Sequence, residues 1–343
     1  MENVDRSQLL ADLELLKPGL TDKEVIEQSD CIAFDGASKW AYTFNENIAC
    51  FVPLDLGITG AVVAEPFFKV LSKLTDATVT LEQRESELII RGDKVEAGIK
   101  CDPNLMLPID ILERSASAVW RPLPDKFATA VVIVEDCVSQ SNDDFQLSSI
   151  HITDNYIESA TLHQLCRVRW DFGIDGSCLV RHGHLRSILK MGVTEYSVTS
   201  NWLHFRNIHG LHIDCRRHNV SYDVPVDPII NKKRSGVDVT FPDGLRDSIE
   251  TAFVFSKENM RGSDEITVTF NPERSQIEMK GEGLYGWFKS KYPVAYSGAS
   301  VTFKVHPKLL LDLLGKFDIC TVCEDCILID DGVMTYITEV KKA

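Results

Sequence analysis

The sequence predicts an α+β protein in which one small domain is built three times in tandem. Three observations carry this prediction. Ser7, Asp125 and Asp243 are helix-cap candidates spaced by 118 residues each time. Leu9, Phe127 and Leu245 follow at the same interval and open apolar runs at helical spacing. After each such helix come alternating stretches, a second amphipathic helix and a hairpin. A constant offset implies internal repetition, and one this long implies a domain with its own core rather than a solenoid repeat. Half-buried strands with two helices per repeat imply helices covering one sheet face.

In the first repeat the opening helix runs from about Ser7 to Lys17, with Leu9, Leu13 and Leu16 inward. Pro18-Gly19 stops it. Strands follow at 31–34, 40–44 and 48–52, separated by turn residues such as Asp35-Gly36. Glu65 to Leu74 reads as the second helix, with Pro66 in its first turn and Phe67, Phe68, Val70, Leu71 and Leu74 inward. A hairpin through Val79, Leu81, Leu88 and Ile90 closes the repeat.

The second repeat places helices at Asp125–Val138 and His184–Met191. Its strands fall at 150–152, 166–170 and 196–198, returning through Leu203 and Phe205. The third opens on Asp243, Leu245, Ile249 and Phe253. It continues with strands at 266–270, 277–279 and 301–303, a helix from Pro307 to Leu314 and a hairpin from Ile319 to Ile329. Linkers are expected at Ser115–Pro124 and Pro228–Gly236, the second carrying the solvated basic triplet Lys232-Lys233-Arg234. The domains are therefore expected at 1–118, 119–236 and 237–343.

Composition sets further bounds. The 343 residues are 44% hydrophobic, as in an ordinary globular protein. No apolar run approaches the roughly 20 residues of a membrane span. Met1-Glu2-Asn3-Val4-Asp5 lacks a basic region followed by an apolar one, so no secretory signal is expected. Ten cysteines without a disulfide-like framework read as reduced thiols of a cytoplasmic protein. The formal charge of −15 argues against a general nucleic-acid coat but leaves room for a local basic surface.

Candidate chemistry is sparse. His209, His212, Cys215 and His218 are ligand-rich, but the alternation of Leu211, Ile213 and Cys215 as a strand sends His212 to the face opposite Cys215. Cys320, Cys323 and Cys326 span a hairpin with Glu324-Asp325 at its tip, and read as thiols of that hairpin rather than cluster ligands. No metal or other cofactor is expected. There is no phosphate-binding G-x-x-x-x-G-K-S/T loop, no G-x-S-x-G elbow and no H-E-x-x-H. Glu135-Asp136 diverge on a helix and read as a solvated face. No catalytic constellation is found, and a site assembled from distant residues stays open.

Cations recur on the helices: Arg6, Lys17, Lys69 and Lys73, then Lys126, Arg186 and Lys190, then Arg246, Lys257, Lys308 and Lys316. Lys69/Lys73 and Arg186/Lys190 have i,i+4 spacing, so each pair shares a face. Such an arrangement suits a phosphate backbone. It also suits ordinary solvent-facing charge.

The chain resembles the bacterial-type DNA polymerase sliding clamp, the beta clamp, in a divergent, phage-like version. The residues that carry the resemblance are Ala160-Thr161-Leu162-His163-Gln164-Leu165-Cys166-Arg167-Val168, similar to the family's Ala-Thr-Asp-Gly-His-Arg-Leu-Ala-Val. Phe255 to Gly262 is similar to its Leu-Ser-Asn-Glu-Lys-Phe-Arg-Gly, and Tyr296-Ser297-Gly298 precedes Val301-Thr302-Phe303 as in the family. The resemblance implies a head-to-tail homodimeric ring of six domains, with twelve helices lining the hole. Duplex DNA would pass through it without base-specific contacts. The clamp would tether a DNA polymerase, and a clamp loader would open it.

The DNA-facing cations would be those above without Lys257 and Lys316, plus Lys23, in the place of a family arginine. The family's partner-peptide pocket maps to Leu147, Thr161, His163, Gln164, Cys166, Pro225, Met260, Ile337, Thr338 and Val340. His163-Gln164-Leu165 in place of Gly-His-Arg, and Glu339 where the family ends apolar, predict a poor fit for the usual peptide. Gly283 to Lys289 is aromatic where the family is acidic. Lys73, Lys94 and Lys100 would then lack their usual partners, and the ring interface would rely on apolar burial. The competing readings are a tandem-domain structural or interaction protein, such as a phage assembly component that binds no DNA, and an enzyme with a dispersed site.

Overall fold

The computed structural model describes residues 2–109, 119–139, 141, 143–173, 176–256, 265–315 and 317–342. It is an α+β chain of antiparallel sheets with short helices packed on them. It divides into two compact units, one of residues 1–131 with 174–221, the other of 132–173 with 222–343.

In the first unit twelve described strands form one sheet. It runs Glu2–Asp5, Thr78–Arg84, Glu87–Arg91, Glu96–Asp102, Thr59–Val63, Cys31–Asp35, Trp40–Phe44, Ile48–Pro53, His212–Arg216, Trp202–Arg206, Glu195–Val198 and Arg121–Pro122. The central strands are buried on both faces, Phe34 on one and the register partners Tyr42 and Phe51 on the other, so a one-residue slip would exchange the two packed sets. Helix α1 spans Arg6–Glu14 and α2 spans Ala64–Lys73. α1 buries Leu9 and Leu13, and α2 buries Phe67 and Leu71. The Phe67 ring meets Phe34 edge-on at 6.1 Å. Phe68 and Val70, expected inward, are only half-buried, so the buried stripe of α2 is narrower than predicted.

The cap of α1 is Asp5, not Ser7. Asp5 ends the first strand in extended backbone, and its Oδ1 accepts from the Gln8 N–H at 2.8 Å. α3 spans Phe127–Glu135 and α4 spans His184–Leu189. Asp125 does not cap α3; the Phe127 N–H donates instead to the Pro124 carbonyl at 2.9 Å. α3 and α4 are shorter than predicted at both or one end. Glu135, expected on a solvated face, is 5% exposed at the end of α3.

Below this sheet surface lies a buried polar ladder. His204 and Asp214 face each other across neighbouring strands, with Nδ1 and Oδ1 2.6 Å apart, and His204 Nε2 lies 2.9 Å from Thr199 Oγ1. The spacing imitates a catalytic triad. Asp214 is fully buried and His204 3% exposed, so the trio ties strands together rather than meeting a substrate.

In the second unit α5 spans Val226–Ile230, α6 Leu245–Ser256 and α7 Pro307–Leu314. One sheet carries, in order, Ser149–Ile152, Tyr156–Ala160, Gln164–Arg169, Met334–Glu339, Cys326–Asp330, Ile319–Cys323 and Gly236–Thr240. A five-stranded sheet runs Gly286–Pro293, Gln276–Gly283, Ile266–Asn271, Val301–Val305 and Lys341–Lys342. α6 lies directly on this second sheet. A Cβ on Gly281 would stand 2.0 Å from the Ala252 carbonyl oxygen, so only glycine permits this approach.

Asp243 accepts no hydrogen bond among the described residues. The Leu245 N–H turns to the Pro242 carbonyl, as its counterpart does at Pro124, and Gly244 takes φ 78° between them. The stretch expected as a linker at Pro228–Gly236 contains the end of α5 and the start of a strand. The strand Gly286–Pro293 was not anticipated.

Two helix pairs are braced identically. Arg6, at the start of α1, donates to the Leu71 carbonyl in the last turn of α2 and to the Asp76 carbonyl. Arg246, in the first turn of α6, donates to the Leu311 carbonyl in the last turn of α7. Both Arg-to-Leu bonds close 65 residues of chain, and both satisfy carbonyls that a helix end leaves open.

His184 begins α4, and burial, then the nearby His182, Arg181 and His218, hold its imidazolium pKa down at about 4. The unfolded chain therefore takes up this proton first as pH falls. Stability contributed by neutral His184 is complete above about pH 6.5 and is lost towards pH 4, by about 3 kcal/mol at most. Thermal melts between pH 7.5 and 4.5 should show a fall that His184→Gln makes shallower; an unaltered slope would contradict this assignment.

Candidate functional site

The second unit holds a cleft of about 660 Å³. Its first wall is the turn between Tyr156–Ala160 and Gln164–Arg169. Thr161 Oγ1 accepts from the His163 and Gln164 N–H groups at 3.2 and 3.1 Å, which tightens the turn and leaves Leu162 78% exposed. The second wall is the loop before Ser149. There Asp144 Oδ1 accepts from the N–H groups of Gln146 and Leu147, and Gln146 Oε1 accepts from the Asp223 N–H at 2.6 Å. Pro225 and Ile229 enter from α5 and its approach, and Ile337 from the strand Met334–Glu339. The floor is apolar: Ala160, Leu165, Val226, Cys323, Cys326 and Ile337 form one buried cluster.

A buried ionic ladder holds α5 against this sheet. Glu158 and Arg167 are register partners, with Oε2 2.6 Å from Nε. Arg167 Nη1 reaches Asp227 in the first turn of α5 at 2.7 Å, and the guanidinium lies 4.1 Å over the Tyr156 ring. The other Glu158 oxygen is 2.7 Å from His151 Nδ1. On the opposite side Gln164 Nε2 donates to the Asp136 carbonyl, and Tyr336 Oη donates to Gln164 Oε1 at 2.7 Å. The rim is thus set by side chains whose own bonds are satisfied.

Of the pocket residues named from the sequence, Leu147, Thr161, His163, Gln164, Pro225 and Ile337 line this cleft together. Cys166 and Thr338 are buried in the strands around it and Val340 just after one of them, and none of the three lines it. Met260 lies outside the described residues. The cleft also takes in Asp144, Asp223, Arg234, Asp325 and Cys326, which sequence reasoning missed. Arg234 belongs to the triplet expected as a solvated loop. Its side chain is instead 8% exposed, with Nη1 donating to the Ile229 carbonyl at 2.7 Å. Lys232 pairs with Asp325 at 2.5 Å and holds that carboxyl below its ordinary range. The apolar Ile229-Ile230 just before the triplet was the signal that this segment packs. Burial, with Cys323 adding to it, pushes the Cys326 thiol up to about 12, so it is inert at neutral pH.

The cations named from the sequence differ in their surroundings. Arg6 and Arg246 spend donors on helix-end carbonyls, Lys17 pairs with Glu14 and sits 4.7 Å from the Phe68 ring centre, and Lys69 pairs with Glu65. Lys23, Lys73, Lys190 and Lys308 are exposed and make no ion pair among the described residues. Lys126 is exposed and Arg186 half-buried. Lys257 and Lys316 lie outside the described residues. His209, His212, Cys215 and His218 do not gather: His212 lies beside the Trp120 ring and Cys215 is fully buried.

The described residues thus combine helix-on-sheet construction, cations on or beside the helices and an apolar cleft. No protein-family model and no curated protein matches its sequence. Solved structures do match in three dimensions. The DNA polymerase sliding clamp of Pseudomonas aeruginosa superimposes with a TM-score of 0.81 at 11% identity, over 99% of both chains. The DNA polymerase III beta chain of Streptococcus pneumoniae gives 0.81 at 15% identity over 99% of both, and the Bacillus subtilis sliding clamp 0.80 at 14%, over 99% of this chain and 98% of that one. The chain has the fold of the bacterial beta sliding clamps from end to end.

The ladder beneath the cleft is testable. Glu158→Ala leaves a buried guanidinium with half its compensation and should cost about 3–5 kcal/mol in urea unfolding. Replacing Glu158 and Arg167 together by Leu should recover most of that loss. A Glu158→Ala cost below about 1 kcal/mol would show that the ladder does not hold this region.

Proposed function

We propose that the chain is a DNA sliding clamp, a processivity factor that encircles duplex DNA and tethers a replicative DNA polymerase. The observation that carries this reading is the end-to-end likeness to solved clamps, with TM-scores near 0.8 over 98–99% of each partner. Its role is binding, not catalysis. Three clamp domains, at 1–118, 119–236 and 237–343, form half of a ring, and a second copy joined head to tail completes it. A clamp loader opens it onto DNA in the cytoplasm of a bacterial or phage-infected cell.

The cations on the helices supply the lumen. Arg6, Lys17, Lys23, Lys69, Lys73, Lys126, Arg186, Lys190, Arg246 and Lys308 meet phosphates without reading bases. An acidic chain with exposed helix cations keeps DNA from its outer surface while attracting it inside. Arg6 and Arg246 contribute less than the others, since part of each guanidinium is occupied by carbonyls.

Ring closure uses the edge strand Gly286–Pro293. Trp287, Tyr285 and Leu284 are 65%, 77% and 57% exposed around it. A long edge strand bearing exposed apolar side chains invites pairing with another chain. The cleft in the second unit receives an extended peptide from the polymerase and other partners, with Leu147, Pro225 and Ile337 as its apolar wall and Thr161, His163 and Gln164 as its polar rim.

Light scattering should give twice the 38.5 kDa chain mass at micromolar concentration, and Trp287→Glu with Leu284→Glu should shift it to monomer. A monomer at every concentration in the parent chain would count against closure. Changing Lys69, Lys73, Arg186 and Lys190 to Glu should leave the circular dichroism unaltered and shorten processive synthesis, most at low salt. Unaltered processivity across a salt series would return these cations to an ordinary solvated face.

A further inference from the structure

We propose that the segment occupying the cleft is a basic one: an extended peptide whose apolar anchors are flanked by lysine or arginine. This rests on the reading of the cleft as a partner-peptide site and adds its charge preference. Four carboxylates, from Asp144, Asp223, Asp325 and Glu339, line the cleft against a single guanidinium, that of Arg234. They come from four separate segments, so the negative charge surrounds the mouth instead of lying on one side.

The carboxylates are not equivalent. Asp325 is already neutralised by Lys232 at 2.5 Å, with Arg234 Nε 3.9 Å away. Asp144 is exposed, and among the described residues its carboxylate accepts only from the N–H groups of Gln146 and Leu147. Asp223 is exposed beside Gln146, and Glu339 is 58% exposed, 3.4 Å from His163. Asp144 and Glu339 stand exposed at the edge of an apolar floor, with exposed Asp223 beside them. An incoming cation gains their attraction at little desolvation cost, because its head stays at the rim while its stem lies on the apolar wall.

Arg234 cannot reverse this preference. Its side chain is 8% exposed, and Nη1 donates to the carbonyls of Ile229 and Lys232. It braces the wall, and its Nε, which has no hydrogen-bond partner among the described residues, lies 3.9 Å from the Asp325 carboxylate. An acidic flank would meet three carboxylates before a guanidinium that is 8% exposed and already faces Asp325. The preference is electrostatic and acts within a Debye length, so salt diminishes it while leaving the apolar anchoring intact.

The test uses the intact chain and two fluorescent decapeptides that share Leu and Phe anchors and a photo-reactive diazirine leucine, one flanked by lysines and the other by glutamates. Anisotropy at 50 and 500 mM salt reads affinity, and cross-link mapping reads location. The proposal predicts about tenfold tighter binding of the lysine peptide at low salt, as two or three partly exposed ion pairs would give. It predicts a difference within about twofold at high salt, with cross-links near Leu147 and Ile337. Replacing Asp144 by Asn, Asp223 by Asn and Glu339 by Gln should abolish the difference without unfolding the chain. Equal affinities with cross-links in the cleft would overturn the charge preference and leave the peptide site standing. A lysine preference that survives the triple replacement would assign it to the chain's general acidity and overturn the proposal. If neither peptide binds, or both cross-link elsewhere, the peptide-site reading fails and the proposal with it.

Discussion

The geometry of the cleft depends on one buried carboxylate. Glu158, 2% exposed, faces Arg167 on the next strand and His151 on the other side, and Arg167 passes the contact on to Asp227 in α5. Two charges removed from water repay that cost only when their geometry is good and their remaining donors and acceptors are met. Here the strand ladder supplies the geometry, because Glu158 and Arg167 are register partners. The short helix α5, five residues with a proline inside it, has little stability of its own. Anchoring Asp227 fixes it, and with it Pro225 and Ile229 at the wall of the cleft.

The same economy governs the cations. Arg6 and Arg246 each spend part of a guanidinium on closing a helix end, in matching positions of two helix pairs. On the proposed reading, lysines at helix surfaces are left to meet phosphates. Lys73, Lys190 and Lys308 stand exposed without an ion pair among the described residues, whereas Lys17 and Lys69 carry intrahelical or near-helical carboxylate partners. Intrahelical pairs at this exposure are worth only a few tenths of a kcal/mol and open readily to a stronger anion. An acidic chain can therefore keep a cationic helix surface without forgoing helix stability.

Much of the fold was legible in the sequence because alternation and helical spacing are local. The strand Trp40–Phe44 and the helix Pro307–Leu314 were read at their observed bounds. The caps were not, since a proline carbonyl one residue before Asp125 or Asp243 competes for the same N–H group, and Asp5 stands two residues ahead of Ser7. The edge strand Gly286–Pro293 escaped because it alternates exposed and half-buried positions and has no apolar face to signal it. Glu135 and Arg234 were read as solvated because charge suggests water, and only tertiary packing buries them. The cleft was legible in part: Leu147, Pro225, Ile337 and Glu339 came through the resemblance, while Asp144, Asp223 and Asp325 sit in loops whose convergence no local pattern records.

The central claim is that two copies of this chain close around duplex DNA. Particle images of the purified protein test it most directly. The account predicts class averages of a closed ring with six-fold appearance, two chains per particle and a central hole wide enough for the duplex. Extended rods of three beads, at any concentration up to tens of micromolar, would contradict it.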